Sequence, residues 1–111
     1  MTEINLQQTI LRNLLTNDSY MRKVAAFLSP DYFEGTYSGL FKEFTSYIAK
    51  FNKLPTIEAF KIEIDSADRL TDEQYRHAME ILPDIFNYSA EDGDWLVDRT
   101  EKWCQDRAVF N

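Results

Sequence analysis

The fold of this chain is decided by residues 29–54, SPDYFEGTYSGLFKEFTSYIAKFNKL. The second part of this stretch carries apolar side chains at Tyr37, Leu40, Phe41, Phe44, Tyr47, Ile48 and Phe51. Recurrence at i, i+3, i+4 and i+7 predicts a helix with one buried face. Five of these side chains are aromatic, and each ring buries a large apolar area. We therefore expect this helix to be the central one.

The first part of the stretch predicts a short turn that precedes the central helix. Ser29 is a good N-cap, and Pro30 suits the first helical position because its ring fixes a helical φ. A turn of this kind would tuck Tyr32 and Phe33 under the long helix. The chemistry of all these residues indicates a core and not a catalytic site.

Length and composition favour one all-α domain over residues 1–111. Apolar residues make up 44% of the chain and aromatic residues 14%, with only three glycines and three prolines. Such a composition excludes disorder and disfavours a β-sandwich. We expect a compact helical bundle of about six helices that ends in a helical hairpin. Residues 1–70 would form a globular head and residues 71–110 the hairpin.

Local signals place the first helices. Apolar spacing predicts a first helix over about residues 3–15 and a second that carries Tyr20, Val24, Phe27 and Leu28 on one side. The second helix should end at Ser29-Pro30, since the residue before a proline is pushed out of the helical region.

Capping signals place the later helices. Pro55 followed by Thr56 predicts the start of a fourth helix, and Thr71 with Gln74 forms a capping box that opens a fifth. Pro83 lies inside this fifth helix and is expected to kink or split it. A sixth helix should follow the acidic turn before Asp94.

Charge and cysteine content limit the classes of function. The net charge is −7 and the isoelectric point about 4.6, which argues against tight DNA binding because affinity comes largely from phosphate neutralisation. One cysteine, Cys104, fits a reducing compartment. The sequence shows neither a signal peptide nor an apolar run of the roughly 20 residues that span a bilayer. We expect a cytoplasmic protein with no membrane association.

No residue pattern predicts a catalytic, cofactor-binding or metal site. His77 lacks a partner at suitable spacing and is expected to lie at the surface, and Cys104 is expected to be a buried apolar cysteine. Residues 91–94, EDGD, resemble a calcium loop but lack the required spacing of ligands. None of the three glycines precedes a Lys-Ser or Lys-Thr pair, so the chain contains no phosphate loop for ATP.

The predicted hairpin carries more apolar surface than one internal contact requires. On the fifth helix, Ile81, Ile85 and Tyr88 form a second row beside the main stripe, so the apolar arc spans about 180° where a surface helix needs roughly 100°. Either the hairpin is embedded in its own bundle, or it offers one face to a second chain. The candidate subunit-interface residues are Ile81, Ile85, Tyr88, Trp95 and Trp103.

Several short stretches, taken in order, resemble a known family. They are ILRNLL at residues 10–15, PDYF at 30–33, LF at 40–41, LPTI at 54–57 with Phe60, and WLV, EK and RAVFN within residues 95–111. Their order and spacing resemble the N-terminal domain of DnaB-type replicative helicases, and the last group resembles the replicative helicases of T-even-like bacteriophages. Residues 71–110 correspond to the family's helical hairpin, and Pro83 departs from the family's pattern.

The resemblance implies a part in DNA replication. The parent would be a hexameric, ATP-driven helicase that moves on single-stranded DNA, and its motor, with ATP and Mg²⁺, would follow residue 111. The N-terminal domains would dimerise through the hairpin and assemble as a trimer of dimers. They would help to engage primase and would work with a helicase loader. No catalytic residue of the family falls within this chain, so the chain alone is not expected to be an enzyme.

Two other classes of function remain compatible with the sequence. A free-standing acidic phage adapter would bind a replisome or host protein, and a stop codon after Asn111 would favour it. An acidic DNA mimic would need carboxylates spaced along one exposed face, and a basic DNA-binding protein retained on the chain would support it.

Overall fold

The computed structural model describes the backbone of residues 2–87 and 93–110, and the side chains of residues 6–87 and 94–108. Within these ranges the chain forms six α-helices and no strand, which confirms the predicted all-α bundle. The helices are α1 (Thr2–Thr16), α2 (Asp18–Val24), α3 (Gly35–Phe51), α4 (Ile57–Ala67), α5 (Asp72–Phe86) and α6 (Gly93–Phe110). Short 3₁₀ turns lie at Ala25–Phe27 and Pro30–Tyr32.

Among the described residues, side-chain caps begin three of the α-helices, and the caps at Thr56 and Thr71 are those that the sequence predicts. The side chain of Asn17 accepts a hydrogen bond from the Tyr20 backbone N–H at 3.1 Å and caps α2. Thr56 caps α4, and Thr71 forms a reciprocal capping box with Gln74 at the start of α5. Each cap satisfies a backbone N–H that has no partner within its own helix.

The turn at Pro30–Tyr32 joins two helices that are distant in sequence. The Ser29 hydroxyl accepts a hydrogen bond from the Asp31 N–H at 3.3 Å, so the predicted cap is present. The ring of Phe33 stacks on Phe41 of α3, with centroids 4.9 Å apart. The same ring also contacts Trp103 of α6 at 5.1 Å. Phe33 thus lies under α3, as expected, and also against α6.

Two helices share the centre of the bundle. α1 packs against α2, α3 and α5, while α3 packs against α1, α4 and α5. The residues of α1 that are almost fully buried are Gln7, Ile10, Leu11, Asn13, Leu14 and Leu15. They cover more than half of the helix circumference, so α1 is at least as central as the predicted α3.

The apolar stripe of α3 is shorter than the sequence predicts. Phe44 is 2% exposed, whereas Phe51, the last residue of the helix, is 48% exposed. Phe51 packs on Tyr47 with ring centroids 4.7 Å apart. α3 extends past the core at this end, so the helical period continues beyond the residues that another helix covers.

The link between α4 and α5 lies directly against α3. Leu70 contacts Gly39 so closely that a Cβ atom on residue 39 would overlap the leucine side chain. Beside it, Arg69 Nε donates a hydrogen bond to Glu43 Oε1 at 3.1 Å. Glu43 is buried, and a buried carboxylate requires such a partner.

α5 continues through Pro83, so of the two predicted effects, a kink or a split, the split does not occur. The helix runs from Asp72 to Phe86, and Pro83 is exposed. A proline on the solvent side removes one backbone hydrogen bond near the helix end, without forcing its ring into the core.

The two helices of the predicted hairpin pack mainly against other elements. Among the described residues, α5 packs against α1, α3 and α4, whereas α6 packs against α2 and the Pro30–Tyr32 turn. Residues 88–92, which join them, lie outside the described residues. Ala78 and Leu82 of α5 and Leu96 of α6 belong to the same buried cluster as α1 and α3.

A buried hydrogen bond attaches α6 to α2. The hydroxyls of Tyr20 and Thr100 lie 2.5 Å apart, and both residues are buried. Burial raises the pKa of Tyr20 well above its ordinary value, although the hydrogen bond to Thr100 acts in the opposite direction. The Tyr20 hydroxyl therefore stays protonated at neutral pH and remains available as a donor.

Truncation of two phenylalanines on α3 provides a test of the core. Phe44→Ala is expected to lower the free energy of unfolding by about 3 to 5 kcal/mol, the range for deleting a buried phenylalanine. Phe51→Ala is the matched control, with an expected loss below about 1 kcal/mol because the ring is half exposed. Denaturant melts of both variants measure the difference, and equal losses would contradict this assignment of the core.

Removal of one hydroxyl tests the attachment of α6. Tyr20→Phe leaves the Thr100 hydroxyl buried without its partner, and we expect a loss of about 1 to 3 kcal/mol. Tyr47→Phe is the control: among the described residues its hydroxyl makes no hydrogen bond, so the expected change is within about 0.5 kcal/mol. Thermal unfolding followed by circular dichroism would show whether only the first variant is destabilised.

Candidate interaction surfaces

Polar side chains fasten the last part of α6 to the start of α3. The Glu34 backbone N–H donates to Gln7 Oε1 at 3.0 Å, and Gln7 Nε2 donates to Glu34 Oε2 at 3.1 Å. Arg107 Nη2 donates to the same carboxylate oxygen at 3.2 Å. The guanidinium of Arg107 also lies over the ring of Trp103, 5.2 Å from its centroid, at cation–π distance. This group of contacts joins α1, α3 and α6.

His77 joins two helices, so its prediction as a plain surface residue is wrong. Its side chain is half-buried, and Nδ1 lies 2.9 Å from the Thr36 hydroxyl of α3. The ring packs edge-on against Tyr37 at 5.9 Å. Sequence spacing could not find this contact, since Thr36 lies far away in the chain. The arrangement positions α5 against α3 and supplies no nucleophile.

Cys104 is buried, as predicted. Burial, together with the nearby Glu101 carboxylate, raises the pKa of its thiol to about 11. The thiol therefore stays protonated at neutral pH and is a poor nucleophile or metal ligand. Among the described residues no group of histidine, cysteine, aspartate and glutamate side chains could hold a metal ion. Most of the rejected calcium loop at 91–94 falls outside these residues.

The candidate subunit-interface residues lie in different environments. Ile85 and Trp103 are 0% and 4% exposed, so neither can contact a partner unless the helices that cover it move. Ile81 is half-buried, and Tyr88 lies outside the described residues. Trp95 is 53% exposed. α5 packs between α1, α3 and α4, which together cover residues from both of its apolar rows. Leu82 of the first row and Ile85 of the second are therefore both buried.

A shallow groove lies between the two 3₁₀ turns and α6. Its lining residues are Phe27, Tyr32, Glu101, Cys104, Gln105 and Ala108. The sequence prediction placed Phe27 on the same side of the second helix as Tyr20 and Val24, which are buried, but this ring is 38% exposed. The α-helix ends at Val24 and tightens into a 3₁₀ turn, which rotates each later side chain by about 120° in place of 100° per residue. No sequence signal marked this change.

The charged surface and the helix composition also bear on function. Among the described ion pairs, Lys102 pairs with Asp106 at 3.3 Å on α6, and Arg22 pairs with Asp18 at 2.9 Å on α2. Both pairs are exposed i, i+4 contacts of the kind that contribute little to stability.

None of the described helices combines the length and the apolar character that crossing a bilayer requires.

Comparisons with known proteins agree with the resemblance found in the sequence. No protein-family model matches the chain. The chain is 30% identical over 105 residues to the DnaB-like replicative helicase of Enterobacteria phage T4. The match covers 94% of this chain and 22% of that protein, so the chain spans about a fifth of its relative's length. Over nearly all of its residues, the chain is thus similar to the N-terminal part of a DnaB-like replicative helicase.

Proposed function

We propose that this chain is the N-terminal assembly and protein-interaction domain of a hexameric, ATP-dependent replicative DNA helicase. The observation that carries the proposal is the 30% identity to the phage T4 DnaB-like helicase across 94% of the chain. The proposed domain lacks a catalytic role of its own and acts through its surfaces. It pairs with neighbouring copies, contributes to a trimer of dimers, and helps to engage primase and a helicase loader.

The composition supports a role in assembly more than one in direct DNA binding. The chain carries 19 acidic and 12 basic residues. None of its three glycines belongs to a phosphate-binding loop motif. Phosphate neutralisation needs clustered lysine and arginine side chains. In the proposed helicase, ATP hydrolysis and the grip on single-stranded DNA therefore belong to a separate motor domain.

Trp95 is the best-placed anchor for pairing between copies. It is the exposed aromatic residue among the predicted interface residues on α6, and tryptophan is enriched at the energetic centres of interfaces. A two-fold axis would present the same patch on both copies. Segment 71–110 remains the proposed dimerisation region, with Trp95 and the half-buried Ile81 as its candidate contacts.

The isolated chain is expected to lack both activities of the motor. It should hydrolyse no ATP above background, because the sequence has no phosphate loop. It should bind single-stranded DNA more weakly than about 1 μM at physiological salt, because its net charge is repulsive. A coupled ATPase assay and fluorescence anisotropy with a labelled oligonucleotide measure these properties. Steady ATP turnover by a clean preparation, or submicromolar DNA affinity, would overturn this division of labour.

The isolated chain is also expected to form a concentration-dependent dimer. Sedimentation velocity across about a hundredfold range of concentration should show a shift towards dimer, since mass action favours association. Trp95→Ala should weaken this shift at least about fivefold in dissociation constant, as truncation of an interface anchor does. Phe51→Ala, a change at an exposed aromatic residue on α3, is the matched control and should leave the shift unchanged.

Two results of the sedimentation experiment would count against the proposed pairing. One is a wild-type chain that remains monomeric at several hundred micromolar. The other is an equal loss of dimer in the Trp95 and Phe51 variants, which would show that the loss is not specific to the proposed contact on α6. Circular dichroism of each variant establishes that it is folded.

A further inference from the structure

The groove beside α6 combines an apolar floor with an open rim. Phe27 is 38% exposed, and Tyr32 is held in place by its edge-on contact with Trp103, with centroids 6.2 Å apart. Ala108 is exposed and small, so it leaves the end of the groove open. An exposed phenylalanine beside a fixed tyrosine is a surface that an apolar side chain of a partner can cover.

One rim of the groove continues as a row of carboxylates along α6. Asp94, Asp98 and Glu101 follow one another at i, i+4 and i+7, which places them on one face of the helix. All three are exposed, and among the described residues none of them forms an ion pair. Lys102 could pair with Asp98 four residues earlier, but it pairs with Asp106 instead. These three carboxylates are therefore accessible to cationic side chains of a partner.

The charge of this surface selects the kind of occupant. A second copy of the chain seated in this groove would bring its own acidic row directly against Asp94, Asp98 and Glu101, and like charges placed opposite each other oppose a contact there. A nucleic acid or an anionic membrane surface would be repelled for the same reason. A segment with positive charge beside an apolar anchor matches both parts of the surface.

We propose that the groove lined by Phe27, Tyr32 and Ala108, with the carboxylate row of α6, binds a basic amphipathic helix of another protein. One apolar side chain of that helix would cover Phe27 and Tyr32. Lysine or arginine side chains at i, i+4 and i+7 of the partner would face Asp94, Asp98 and Glu101. The proposal rests on this surface alone and stands whether or not the chain belongs to a hexameric helicase.

The test uses the whole chain and a synthetic peptide as the probe. The peptide has about 18 residues, enough for a stable amphipathic helix, with leucine on one face and lysine along one edge. Fluorescence anisotropy of the labelled peptide gives the dissociation constant. Amide chemical shifts of the chain locate the contact. A second peptide with glutamate in place of lysine tests the charge requirement.

Two variants and two matched controls test the site. Phe27→Ser and the double variant Asp98→Lys/Glu101→Lys are each expected to weaken binding at least about tenfold, because they remove the anchor or reverse the charge. Phe51→Ser and Glu58→Lys/Glu80→Lys make the same chemical changes on α3, α4 and α5. These controls are expected to stay within about twofold of the wild type, since their side chains lie outside the groove.

Each other outcome of this experiment would overturn the proposal. Equal weakening in the site and control variants would show a non-specific attraction to acidic charge. Shift changes away from α6 and the 3₁₀ turns would place the contact elsewhere, and binding of the glutamate peptide would remove the charge argument. Lack of binding at millimolar peptide would exclude the site. If Phe27→Ser fails to fold, the double charge variant, which alters only exposed residues, decides the question.

Discussion

The enclosure of α1 by α2, α3 and α5 is the constraint on which the rest of the structure depends. A helix that is buried over more than half of its circumference requires neighbours on several sides, because apolar side chains such as Leu11 and Leu14 stabilise the fold only when they are covered. α2, α3 and α5 are arranged around α1, and α4 and α6 form an outer layer. α4 covers α3 and α5, while α6 covers α2 and the turn before α3.

The sequence predicted the helices well, because the signals that begin a helix are local. Thr71 and Gln74 lie within one turn of each other, so their reciprocal hydrogen bonds can be inferred without knowledge of the fold. Which helices become neighbours depends on contacts between residues that are far apart in the sequence. An apolar row on a helix indicates a buried face but not the element that covers it. The contacts of Trp103 with Phe33 and of His77 with Thr36 are of this kind.

The candidate surfaces were harder to predict than the core for the same reason. The apolar rows on α5 and α6 suggested an interface. In the structure, residues of these rows differ in burial: Trp95 is exposed, whereas Ile85 is buried. The residues that carry the family resemblance, such as Leu14, Leu40 and Phe60, are buried. A resemblance between the buried residues of two proteins indicates that they share a fold. The recognition of a partner depends on exposed side chains such as Phe27 and Asp98, which follow fewer rules of spacing.

The contact of Arg107 with Glu34 connects the end of α6 to the start of α3. A load applied at the Arg107 end of α6 would pass through this ion pair to the start of α3, and through Gln7 into α1, the most enclosed helix. Because the Glu34 side chain is largely exposed, dissolved ions screen this pair. The stiffness with which α6 transmits torque to the bundle would therefore fall as ionic strength rises, while the apolar core stays intact.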